Sequence, residues 1–169
     1  MFSVTSSGFV YTPPHLFGVR FRTMSDRDGL SHGSYYPGSW AALASDRPAV
    51  VMADSGESMS FSDLDNQANR IANLFFDLGL TPGDHVAFCL ENCLEYLPLA
   101  WGAHYAGLYY TAISSRLLED EIAYIIDDCG ARVFITSPYK ADIATAIVAS
   151  TQKVENRFSI GGGFEDHTA

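Results

Sequence analysis

The sequence predicts an α/β fold, a partial doubly wound parallel sheet with flanking helices. Three observations carry that reading. Short, predominantly apolar segments, such as residues 85–90 and 131–136, alternate with longer segments of helical periodicity. Strands apolar on both faces belong to parallel sheets covered by helices on both sides. The connections between these segments are short and rich in Gly, Pro and Asp, which suits the tight βα and αβ loops of a right-handed, doubly wound layer.

Taken in order, residues 24–47 are rich in Gly, Ser, Asp and Tyr and read as an approach segment with one short helix at 40–44. An apolar run at 49–52, turn chemistry at Asp54-Ser55-Gly56-Glu57 and an extended run at 58–61 predict a β-hairpin. Leu64, Ala68, Ile71, Ala72, Phe75, Phe76 and Leu78 then follow helical spacing. Ser62 is the expected N-cap of that helix, Asp63 and Asp65 face its positive end, and Gly79 is its stop. Thr81-Pro82-Gly83-Asp84 forms a turn into a strand at 85–90. A helix is expected to open at Glu91-Asn92 and run to about Tyr105, closed by Gly107. A strand at 108–113, a helix at 118–128 ended by Gly130, a strand at 131–136, a helix at 141–149 and a strand opening at 157–160 complete the pattern. Residues 1–45 are accordingly read as an extension and approach segment, and 46–169 as the folded unit.

With 47% hydrophobic and 18% charged residues in 169, the chain has enough apolar material for one core. Its formal charge of −10 repels phosphate backbones and anionic lipid surfaces, which excludes nucleic acid and membrane surfaces as expected partners. Residues 1–23 hold Arg20 and Arg22 and no acid. They lack the unbroken apolar stretch of a secretory signal or membrane span, and Pro13-Pro14 would break the amphipathic helix of an organellar presequence. They read as a disordered extension ahead of a start at Met24. Cys89, Cys93 and Cys129 lie in apolar runs without metal-ligand spacing and read as small hydrophobes in a reducing, cytoplasmic setting.

The search for chemistry is quiet. No phosphate loop, no zinc motif and no dinucleotide fingerprint is present, since Gly161-Gly162-Gly163 has no helix after it. Gly29-Leu30-Ser31-His32-Gly33 matches the pattern of a nucleophile elbow, but no strand precedes Ser31 and no acid and histidine follow in the usual order. His85 is expected to be partly exposed at a strand start, and His104 to be a core or rim residue of a helix. The acids at 119–121 suit a helix N-terminus, Asp127-Asp128 a solvated face, and Tyr109-Tyr110 a strand core. No catalytic residue and no metal ligand is assigned.

The order of segments adds what the single residues withhold. Ser60-Phe61-Ser62-Asp63-Leu64 opens a helix that ends in Gly79-Leu80. Thr81-Pro82-Gly83-Asp84-His85-Val86-Ala87 follows, with Leu90, Glu91 and Asn92. Ala106-Gly107 then leads to Ser114-Ser115-Arg116-Leu117, Glu121, Tyr124-Ile125, Asp128 and Ala131-Arg132-Val133-Phe134-Ile135. In this order, over residues 46–136, the segments resemble the opening of the adenylate-forming (AMP-binding) superfamily of acyl-CoA synthetases, adenylation domains and luciferases. The texture is closer to bacterial fatty-acyl-CoA ligases, of the long-chain fatty acid–CoA ligase kind, than to peptide-synthetase adenylation domains.

That resemblance implies the N-terminal subdomain of the acyl-CoA synthetase-like fold, cut before the phosphate loop. In the complete enzymes a carboxylate, here a fatty acid or other carboxylic acid, attacks ATP with magnesium to give an acyl-adenylate. Coenzyme A then displaces AMP to form the thioester, a ligase reaction of lipid metabolism. The resemblance implies one ligand contact in this chain. Arg116 would meet the nucleotide phosphate of coenzyme A in the full-length context, although the Asn-Pro that precedes such an arginine in the family is Ser114-Ser115 here. The phosphate loop ending in Lys has no counterpart around Lys140 or Lys153. The fragment is therefore expected to need no cofactor and to be inactive alone, with sheet surfaces left uncovered and open to association. The alternative reading is a stand-alone flavodoxin-like nucleotide-binding module without catalysis.

Overall fold

The computed structural model describes residues 4–5, 8–9, 36–164 and 166–168. The predicted extension at 1–23 and the Ser31 motif therefore lie outside the described residues, apart from a two-residue antiparallel pair, β1 (Val4–Thr5) with β2 (Gly8–Phe9). Helix α1 (Pro37–Ala44) starts three residues earlier than expected, on a proline suited to a first helical turn. The hairpin forms as β3 (Pro48–Val51) paired antiparallel with β4 (Ser58–Ser60).

Helix α2 (Phe61–Asp77) begins two residues before the expected site. Its N-cap is Ser60, not Ser62. Ser60 Oγ accepts from the Asp63 amide at 3.1 Å, and the Asp63 carboxylate accepts from the Ser60 amide at 3.4 Å and the Ser60 hydroxyl at 2.6 Å. The next free amides, on Phe61 and Ser62, donate to the carbonyls of Arg47 and Ser45. The orphan donors of the first turn are thus met by a capping box and by the preceding loop. The helix ends where Gly79 takes a φ of +76°, a value open to glycine and strained for other residues.

Four parallel strands follow, in the spatial order β6–β5–β7–β8. They are β5 (His85–Leu90), β6 (Tyr109–Ser114), β7 (Val133–Thr136) and β8 (Asn156–Ser159). The crossovers are α3 (Tyr96–Tyr105), α4 (Glu119–Cys129) and α5 (Ala141–Ala146). The first crossover moves outward from β5 and the second returns past it to β7, which makes the sheet doubly wound. Strand alternation sorts the core into two layers. Val86, Phe88, Leu90, Val133 and Ile135 pack with Phe75, Leu99 and Ala103 under α2 and α3, while Ala87, Cys89 and Phe134 pack with Ile122, Ile126 and Ile147 under α4 and α5.

Two expectations need correction here. Helix α3 starts at Tyr96, not at Glu91, because residues 91–95 form an irregular turn at the end of β5. Tyr109 is 66% exposed and not core, because β6 lies at the edge of the sheet. The cysteines divide: Cys89 is buried, whereas Cys93 and Cys129 are half-buried, and all three are free thiols. His104 is exposed, at the rim, with its ring 5.4 Å from that of Tyr110.

An ionic clamp ties the strand starts together. Arg132, just before β7, reaches Asp84, just before β5, at 2.6 Å and Glu155, just before β8, at 2.8 Å. The Thr81 amide, then the Thr81 hydroxyl and the Arg132 guanidinium, hold the Asp84 carboxyl below its usual range; Arg132 does the same to Glu155. A depressed carboxylate adds stability above its unfolded pKa of about 4 and loses it as pH falls through the folded value. Arg132→Met should therefore be less stable than the parent chain at neutral pH. The gap should close in urea titrations carried progressively below about pH 4.

Candidate functional site

In a doubly wound sheet, ligands bind outside the carboxyl ends of the strands, near the point where the strand order reverses. Here that point is the crevice between β5 and β7. It is bridged by side chains: the Ser137 hydroxyl meets the two Glu91 carboxylate oxygens at 2.7 and 2.8 Å, and the Thr136 hydroxyl donates to the Cys89 carbonyl at 2.9 Å. These bridges fill the crevice, so the flavodoxin-like alternative, which would place a nucleotide there, is not favoured.

The open space lies one strand over, between the carboxyl ends of β5 and β6. A cleft of about 480 Å³ is lined there by Glu91, Asn92, Tyr96, Ser114, Ser115 and Arg116, among others. The chain turns at the end of β6, with the Leu117 amide donating to the Ser114 carbonyl and the Arg116 amide to the Ser114 hydroxyl, both at 3.3 Å. This turn sets Arg116 at the mouth, exposed, and its guanidinium has no hydrogen bond or ion pair among the described residues. The nearby acids of α4 do not neutralise it. Glu121 is turned back on its own helix, where it accepts from the Leu118 amide at 2.9 Å.

The site thus sets one free cation beside the hydroxyls of Tyr96, Ser114 and Ser115, the Asn92 amide side chain and the Glu91 carboxylate. That donor set suits a phosphate, since guanidinium forks and hydroxyls donate to anionic oxygens. It offers no nucleophile. Burial pushes the Cys89 and Cys93 thiols up, away from thiolate, and lowers the His85 imidazole, which sits at the opposite end of the sheet with its Nε2 2.7 Å from the Thr111 hydroxyl.

Of the residues singled out in the sequence, Arg116 was the one expected to meet a ligand, and it lies in the cleft with Ser114 and Ser115. Glu91 and Asn92, read as a helix opening, instead line its wall, and Ser137 was not singled out. Their one sequence signal is position, since each directly follows a strand that ends on the carboxyl side of the sheet.

Known proteins share this family and fold. The AMP-binding enzyme family matches residues 39–161. A crotonobetaine/carnitine–CoA ligase of Salmonella arizonae is 33% identical over 100 residues, covering 57% of this chain and 19% of its own length. A solved Rhodopseudomonas palustris protein, described as a long-chain-fatty-acid CoA ligase, superposes with a TM-score of 0.73 at 27% identity, over 78% of this chain and 33% of its own. A fatty acyl CoA synthetase of Mycobacterium tuberculosis gives 0.68 at 27% identity, over 73% and 25%. The chain therefore spans about a fifth of the length of the curated relative and a quarter to a third of the solved ones. With the family matched over most of its length and the parallel sheet shared with the solved ligases, the chain belongs to the AMP-binding enzymes and carries the fold of their N-terminal portion.

Proposed function

We propose that this chain is the N-terminal part of a ligase that joins a carboxylic acid to coenzyme A, and that Arg116 is its contact with the coenzyme A nucleotide phosphate. The carrying observation is the cleft at the ends of β5 and β6, where Arg116 is the free cation beside Ser114, Ser115 and Asn92. The family match supports the reaction class, and the named activities of the relatives support an aliphatic acid, a fatty acid or a small acid of the crotonobetaine kind.

The residues fit one half of that chemistry. They can bind and orient a phosphate at the cleft, Arg116 by charge and the hydroxyls by donation, against the opposing charge of Glu91, which the Ser137 hydroxyl holds on the β7 side. They do not fit the other half. ATP and its magnesium need a Ser/Thr/Gly-rich loop ending in Lys, and neither Lys140 nor Lys153 stands in one. No adenylation step is assigned to these 169 residues. The three free thiols support a reducing, cytoplasmic setting, and among the described residues no helix is long and apolar enough to cross a membrane.

Titration of the isotopically labelled chain with coenzyme A checks the phosphate contact. Amide shifts are expected at residues 114–117, and Arg116→Ala should weaken binding about tenfold, the worth of a charged hydrogen bond. Equal affinity of the parent chain and the Arg116→Ala variant would refute the assignment.

A further inference from the structure

The cleft at the ends of β5 and β6 holds two opposite charges. Arg116, past the end of β6, is the free cation, and Glu91, directly after β5, brings a carboxylate to the wall. For a phosphate alone that carboxylate is a handicap, since it repels the anion that Arg116 attracts. An uncharged acceptor could bridge to Ser137 without the loss. The combination suits a ligand that carries an anion at one end and a hydrogen-bond donor at the other.

Glu91 has acceptor capacity to spare. The Ser137 hydroxyl lies 2.7 and 2.8 Å from its two oxygens but has a single proton to give. A carboxylate offers about four lone-pair sites, so the bond fixes the side chain without saturating it. Next to it, Asn92 is exposed, and its side-chain amide makes no hydrogen bond among the described residues. Tyr96 lines the same cleft, its ring held edge-on to Phe88 at 5.5 Å. An acceptor, an adjacent amide and an aromatic ring are the parts with which proteins read an amino-bearing base. The carboxylate accepts from the exocyclic amine, the amide donates to a ring nitrogen, and the aromatic ring packs on the base.

We propose that Glu91, positioned by Ser137, is the residue that selects adenine in this cleft, accepting from the base amine while Arg116 holds the phosphate. The inference rests on the reading of the cleft as a coenzyme A site and adds the base that the β5 wall recognises. The ligand then lies across the strand ends, phosphate at β6 and base at β5. A base with a carbonyl oxygen in place of the amine is rejected, because two acceptors would face each other.

Equilibrium titrations of the full chain with three probes separate the two contacts. The probes are coenzyme A, its deaminated form (a carbonyl oxygen in place of the adenine amine) and its dephospho form. The parent chain should bind coenzyme A about tenfold more tightly than the deaminated form. Glu91→Gln keeps the shape of the side chain but can present an N–H to a carbonyl, so it should bind the two forms within about twofold of each other. Arg116→Ala should weaken both forms and keep their ratio. Equal affinity of the parent chain for the two forms overturns the proposal, as does a preference that survives Glu91→Gln. A chain that binds neither form overturns it together with the coenzyme A reading. An amine preference that Glu91→Gln abolishes supports it even if dephospho-coenzyme A binds as tightly as coenzyme A, a result that would refute the Arg116 contact alone.

Discussion

Phe88→Ala should destabilise the chain by about 3–5 kcal/mol, enough to leave much of it unfolded at room temperature. Phe88 is fully buried in the middle of β5, a strand paired on both sides by β6 and β7. Its ring stacks on Tyr110 at 5.2 Å and meets Tyr96 edge-on at 5.5 Å, so it joins the sheet to the first turn of α3. Truncation forfeits the transfer energy of the ring and leaves a void that the flanking strands, held in register, cannot collapse to fill. Because Tyr96 also lines the cleft, the same variant should blur the coenzyme A response at residues 114–117. Urea unfolding by circular dichroism measures the loss. A midpoint within error of the parent chain would mean that the two-layer core is wrongly drawn.

Gly102→Val should cost about 1–3 kcal/mol, against the direction of helix propensity. Gly102 faces α2 in the middle of α3. A Cβ built there would lie 2.5 Å from Ile71 Cγ2, 2.7 Å from Ile71 Cβ and 3.1 Å from the Ala68 carbonyl oxygen. Two of those three atoms are backbone or tied directly to it, so the helices must separate to make room. Gly102→Ala gives the sign test. Propensity alone would stabilise by about 1 kcal/mol, whereas overpacking destabilises. A net loss of stability for the alanine variant is the expected result. A gain would show that α2 and α3 stand further apart than a 2.5 Å approach to Ile71 allows.

Particular residues show how far the sequence could be read. Strand β5 was legible to the residue because a run apolar on both faces has no other home in a small α/β unit. The α2 cap was ambiguous by construction, since Ser60 and Ser62 each have an aspartate three places on. Tertiary contact decides between them. Asp65 is taken by the Tyr105 hydroxyl at 2.7 Å, and Ser60, at the extended end of β4, is left to form the box with Asp63. Tyr109 was misread because a single strand does not declare whether it will be central or at an edge; that follows from the crossover order. The start of α3 was misplaced because Glu91 is drawn to Ser137, 46 positions away, a partner no local pattern reveals. Arg116 was singled out only through the resemblance of the ordered segments, as a lone loop arginine carries no signal of its own.

We propose that these 169 residues carry the N-terminal fold of the AMP-binding enzymes and a cleft for a phosphate, without the adenylating machinery. Exchange of labelled pyrophosphate into ATP, run on the purified chain with magnesium and a panel of fatty acids, crotonobetaine and carnitine, tests it most directly. No exchange above the protein-free background is expected for any acid. Acid-dependent exchange that scales with the amount of chain would contradict it.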